Sequence, residues 1–152
     1  MKKIKPILFA ITSAMILVLF TDCNKSGTAS PNSFTWTFGG TTYAATLDTA
    51  FVNRPIIPYY ILAITGTNFN TNYNQWVGFG LSSFNTGAFN IGPGGNSLQF
   101  IDATGADHSG LSGTLTITSN ANNRLTGNFS DIVSGPSGTV PFTGSFANVP
   151  VK

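Results

Sequence analysis

The sequence predicts an all-β domain, an antiparallel β-sandwich or flattened β-barrel of about 8–10 short strands. Three observations predict it. Beyond residue 32, Thr, Phe, Tyr, Val and Ile recur at every second position, the period of a strand with two unlike faces. Gly, Asn and Pro clusters interrupt these runs at short intervals. No segment shows the 3.6-residue period of an amphipathic helix.

The elements follow in chain order. Phe34-Thr35-Trp36-Thr37-Phe38 alternates with its aromatics on one face, which assigns Trp36 to the core. Gly39-Gly40 is a tight-turn signal, and Tyr43-Ala44-Ala45-Thr46-Leu47 is its expected partner. Ala50-Phe51-Val52 reads as a short strand before Arg54-Pro55-Ile56-Ile57-Pro58 breaks the pattern. Residues 59–65 are apolar on both faces, as a central, covered strand requires, and they point Tyr59 and Tyr60 to opposite sides. Residues 76–81 put Val77, Phe79 and Leu81 on one face and Trp76, Gly78 and Gly80 on the other. Ala88-Phe89-Asn90-Ile91 ends at the turn Gly92-Pro93-Gly94-Gly95-Asn96. Leu98-Gln99-Phe100-Ile101 leads into a loop expected over 102–110.

The last third is the most regular. Gly113-Thr114-Leu115-Thr116-Ile117-Thr118 turns at Asn120-Ala121-Asn122-Asn123 and returns as Leu125-Thr126-Gly127-Asn128-Phe129-Ser130. A second turn, Gly135-Pro136-Ser137-Gly138, precedes the closing strand over 140–149. Leu125-Thr126-Gly127-Asn128-Phe129 and Phe142-Thr143-Gly144-Ser145-Phe146 share one pattern, with the apolar residue, the Gly and the Phe on one face. A glycine there leaves room under a neighbouring ring or permits a bend.

The chain ahead of this domain reads as an address. Lys2, Lys3 and Lys5 precede an apolar run over 7–20 that is short for a bilayer span and right for a signal peptide. Asp22 and the single cysteine, Cys23, follow at once. This stretch, Leu19-Phe20-Thr21-Asp22-Cys23, resembles the box that ends bacterial lipoprotein signal peptides, although Asp22 stands where a small residue is usual. The resemblance implies cleavage before Cys23 and a lipidated thiol there, with residues 1–22 as the signal peptide. Residues 23–32 are small, polar and aperiodic, and read as the lipidated cysteine and a flexible tether; 33–152 form the single domain. The address is then the bacterial cell envelope, with the outer membrane favoured.

Charge narrows the partners. The net charge of +2 arises from the signal-like segment. From Cys23 onward, Lys25, Arg54, Arg124 and Lys152 balance Asp48, Asp102, Asp107 and Asp131. A neutral surface releases few counterions from a polyanion, which argues against nucleic acid. One cysteine makes no internal disulfide, so the fold rests on its core. The roughly 130 residues after the signal can bury about two thirds of their unfolded surface.

No catalytic site is expected. The four scattered Asp residues form no evident pair for glycoside hydrolysis. Asp107-His108-Ser109 has the residue types of a triad, but neighbours in a loop do not supply its geometry, so His108 is expected in a solvated turn. The Asp102-to-His108 stretch lacks the spacing and the bidentate Glu of an EF-hand loop and reads as a turn, so no metal or cofactor is expected. The stretch suited to a ligand is Asn68-Phe69-Asn70-Thr71-Asn72-Tyr73-Asn74-Gln75-Trp76. Extended, it presents Asn70, Asn72 and Asn74 beside Trp76. Amides with a flat aromatic suit a sugar ring, through stacking on its apolar face and hydrogen bonds to its hydroxyls. An Asn-rich hairpin loop, with Trp76 covering Gly78 and Gly80, is the structural alternative.

Several stretches resemble short β-rich lipoproteins common in Bacteroidota: 113–118, the Gly127-Asn128-Phe129 strand, Gly144-Ser145-Phe146 through Val149, and Gly87-Ala88-Phe89-Asn90-Ile91-Gly92. The resemblance implies an envelope address and a β fold, and brings no activity. The expected function is a non-enzymatic envelope module that binds a glycan or a protein. A structural subunit joined through a strand edge and a lipocalin-like carrier of a small apolar ligand are the alternatives.

Overall fold

A computed structural model describes residues 31–52, 59–65, 75–136 and 138–152. The signal-like segment, Cys23 and most of the tether lie outside the described residues, as do Asn70, Asn72 and Asn74. Asn32, the last residue of the expected tether, is pinned: its side-chain amide donates to Asp48 Oδ1.

Ten strands make up the described fold: β1 (Ser33–Phe38), β2 (Thr41–Ala44), β3 (Leu47–Val52), β4 (Tyr59–Ile64), β5 (Trp76–Leu81), β6 (Gly87–Ile91), β7 (Ser97–Ile101), β8 (Asp107–Ala121), β9 (Arg124–Gly135) and β10 (Gly138–Pro150). They form one antiparallel sheet in the order β2-β1-β10-β9-β8-β7-β5-β4-β3, with β6 added to β8 off this path. The sheet curls into a flattened barrel. Its far strand, β3, meets the end of β10 through a parallel bridge between Ala50 and Val151, and the Lys152 amide donates to the Ala50 carbonyl at 2.8 Å. The fold class is the one the alternation predicts.

The interior explains the alternation. Phe34 and Trp36 from β1, Phe129 from β9 and Phe142 and Phe146 from β10 face Phe79 of β5 and Phe100 of β7 across the layers. Trp36 is fully buried. Burying each such ring contributes roughly 1.5–3 kcal/mol.

The repeated Gly-x-Phe pattern is a reciprocal lock. Register sets Gly127 opposite Phe146 and Gly144 opposite Phe129. A Cβ at Gly127 would lie 2.5 Å from the Phe146 ring, and one at Gly144 would lie 2.3 Å from the Phe129 ring. Each strand's glycine is thus filled by the other strand's phenylalanine.

Three sequence expectations change. β2 ends at Ala44, because the chain turns away at 45–46 to start β3. The Asn-rich turn narrows to Asn122 and Asn123, both left-handed at φ 53° and 56°, as a two-residue hairpin needs. The loop expected over 102–110 stops at 106, since β8 begins at Asp107 and pairs with β7 there. β8 is long enough to serve two neighbours along one edge: β7 pairs with 107–109 and β6 with 113–117. Between them a bulge at Leu111 shifts the register against β9.

Candidate functional site

The outer face of β4, β5 and β7 carries a cleft of about 160 Å³. Alternation along β5 sends Val77, Phe79 and Leu81 inward, which leaves Trp76, Gly78 and Gly80 outward. Register places Gly78 between Leu62 and Gln99, and Gly80 between Tyr60 and Ser97. The floor is therefore bare backbone at two successive outward positions of the central strand. Tyr60 and Leu62 form one wall, and Ser97 and Gln99 the other. Trp76, half-buried, leans over Gly78 and closes one end; a Cβ at Gly78 would meet its Cζ3 at 2.8 Å.

The opposed tyrosines behave as alternation requires. Tyr60 lines this cleft, whereas Tyr59 packs edge-on against Phe84 at 5.1 Å. Gln99 is oriented from outside the cleft, its Nε2 donating to both carboxylate oxygens of Asp107 at 3.2 and 3.1 Å. An aromatic edge, a flat floor and amide and hydroxyl groups on the rim can hold a ring that has an apolar face and polar edges. Trp76 is the one residue of the expected ligand-contact set within the described residues. Sequence reasoning allowed at most one of Tyr59 and Tyr60 as an aromatic platform without choosing between them, and missed Ser97 and Gln99, because only strand register brings these side chains to Gly78 and Gly80.

The structure corrects the reading of His108. It is 4 % exposed, not solvated. Its ring lies between Phe38 and Phe100, with centroids at 4.7 and 5.5 Å, and Gly135 sits against it so closely that a Cβ there would be 2.1 Å from Nδ1. Nε2 faces Asp102 Oδ2 at 3.0 Å, while Nδ1 is buried without a partner. The strand that begins at Asp107 draws this side chain inward, a signal hidden by the flanking polar residues.

Asp102 organises the turn before β8. Its Oδ1 accepts from the Thr104 amide at 2.8 Å, the Thr104 hydroxyl at 2.6 Å and the Ala106 amide at 3.0 Å. Burial pushes its pKa up, but these bonds and the His108 contact outweigh that and hold it at about 2. Asp131 is the opposite case. It points inward from β9 beneath Gly110 and Gly113, is 3 % exposed, and makes no well-formed hydrogen bond through either oxygen. Burial raises its pKa, and the nearby amides of Ile132 and Ser112 draw it only partly back. Asp48 is also raised by burial, against its bond from Asn32. Among the described residues no group of three or more His, Cys, Asp or Glu is placed to hold a metal ion.

Comparisons with known proteins leave the groove to speak for itself: no family model, curated protein or solved structure matches this chain.

Proposed function

We propose that the protein is a cell-envelope lipoprotein, anchored through Cys23, whose non-catalytic β domain binds a glycan in the cleft beside Trp76. The observation that carries the reading is the outward face of β5. An indole stands at one end of two glycines, and tyrosine, serine and glutamine close the sides. A sugar ring needs a flat apolar contact and hydrogen-bonding groups at its rim, and this cleft offers both in one place. The aromatic-filled interior favours a surface site over an internal one, because a lipocalin-like carrier would need the space that Trp36, Phe79, Phe129 and Phe142 occupy.

The test is a glycan array probed with the wild-type chain and with Trp76→Ala. Loss of the stacked indole from a small site should weaken binding by about 30-fold, the scale of a hot-spot residue. The far-UV circular dichroism spectrum should stay unchanged. An array signal indifferent to Trp76 would move the site elsewhere. Unfolding of the variant would mean that Trp76 serves packing.

A further inference from the structure

We infer that the binding site continues across β7 into a second depression, and that its ligand is a neutral, linear glycan chain and not a single sugar. This rests on the reading of the Trp76 cleft as a glycan site.

A second hollow, of about 430 Å³, opens where β6 and β7 part along the edge of β8. It shares Ser97 and Gln99 with the Trp76 cleft, so those two side chains form the ridge between the hollows. Register makes the two continuous across the strands: Gly78 pairs with Gln99, and Gln99 with Ser109. The path from β4 through β5 and β7 to β8 spans about 15 Å at roughly 4.8 Å per strand, room for about three hexose rings in a row.

The far hollow has the same mixture of groups as the near one. Its apolar contact is Leu111, one of two large hydrophobic residues left exposed among the described residues, at 39 %. Leu111 is the extra residue of the β8 bulge, which is a common way for a strand to re-aim a side chain. The opposite wall is the turn 92–95, held from behind by Asn96. The Asn96 side chain accepts from the Ser82 amide at 2.8 Å and donates to the Asn90 carbonyl at 3.0 Å. Trp76 and Leu111 thus stand at the two ends of one trough, with hydroxyl and amide groups between them.

Charge selects the class of chain. Among the described residues neither hollow is lined by Lys or Arg. The charged group closest to the ridge is the Asp107 carboxylate held by Gln99. A uronate or phosphate-bearing chain would meet a like charge and no counter-ion.

The experiment uses the full chain in detergent micelles. It is probed against an array of neutral and uronic-acid oligosaccharides of increasing length, beginning with disaccharides. Affinity for neutral chains should rise by about tenfold from the disaccharide to the tetrasaccharide. Leu111→Ser should remove that gain and leave disaccharide binding intact. Ser109→Tyr, which fills the hollow from an exposed position, should do the same. Trp76→Ala should lose both lengths. Equal affinity for short and long chains, with both far-hollow variants behaving as wild type, would end the site at β7 and leave the Trp76 reading standing. A preference for uronate chains would overturn the neutral class. Binding of no glycan by the wild type would overturn the parent reading, and this inference with it.

Discussion

The two sides of one sheet use glycine in opposite ways. On the inner face, Gly127 and Gly144 are each filled by a phenylalanine from the neighbouring strand, and a Cβ would also press against a backbone carbonyl at 2.2 Å. On the outer face, the Cβ position of Gly78 meets only the far end of the Trp76 ring and, at 3.9 Å, a Leu62 methyl. An inner glycine is a packing device whose space is already taken. The outer Gly78 borders the cleft, and what approaches its Cβ position is the ring of one half-buried side chain, with no backbone among its three nearest neighbours. The residue alone does not distinguish the two; the neighbour that fills or spares its space does.

The largest expected effect tests the inner half of this contrast. Gly144→Ala pushes a methyl into the Phe129 ring and the Thr35 carbonyl together, and backbone does not step aside. The cost should be about 3 kcal/mol, the upper range for overpacking, read as a fall of about 10 °C in Tm. Gly127→Ala should match it. A melting temperature within about 2 °C of wild type for either variant would remove the lock from the account.

Acid titration gives the next effect, and it contrasts two carboxylates as it does two glycines. Asp102, satisfied by its turn, has a folded pKa of about 2 against the usual 3.8. It therefore adds stability above that range, lost as pH falls through it. Asp131, buried and poorly bonded, has a raised pKa, so its contribution has the opposite sign: stability falls as pH rises from the usual carboxylate value, and the full cost is present once pH exceeds the folded value. Asp131→Asn should melt about 3 °C higher than wild type at pH 7. The advantage should vanish below the usual carboxylate range, where both states are protonated. An advantage that persists at pH 2 would assign the effect to shape instead of charge.

The smallest effect on stability sharpens the outer half. Gly78→Ala should change Tm by less than about 2 °C, because the Trp76 ring can tilt away. The same tilt should weaken glycan binding by several-fold. A large destabilisation with unchanged binding would make Gly78 an inner-type glycine that happens to face out.

Much of this was legible in the chain. The alternation at Phe34, Trp36 and Phe38, along 76–81 and through Leu125, Gly127 and Phe129 fixes which face is buried, since period two leaves no other choice. The Gly-x-Phe repeats announce a ring over a glycine before any pairing is known. Which ring covers which glycine depends on register, and register is a property of two strands. His108 was missed for a local reason: Asp107, Ser109 and Gly110 look like loop, and the bulge at Leu111 interrupts the alternation that would have extended β8 back to them. The cleft was half legible, as a Trp-x-Gly-x-Gly face. Its walls come from residues 60–62 and 97–99, which only the sheet order brings together.

The pairing of β1 with β10 also decides where the trough stands relative to the start of the fold. Ser33, the first residue of β1, pairs with Ala147. The row that carries the trough, Gln99 to Ser109 to Ser134, reaches β10 at Thr139, about 26 Å farther along that strand at roughly 3.3 Å per residue. The described chain thus enters the fold near one end of β10, and the row that carries the trough meets β10 toward its other end, a separation set by the length of the longest strands.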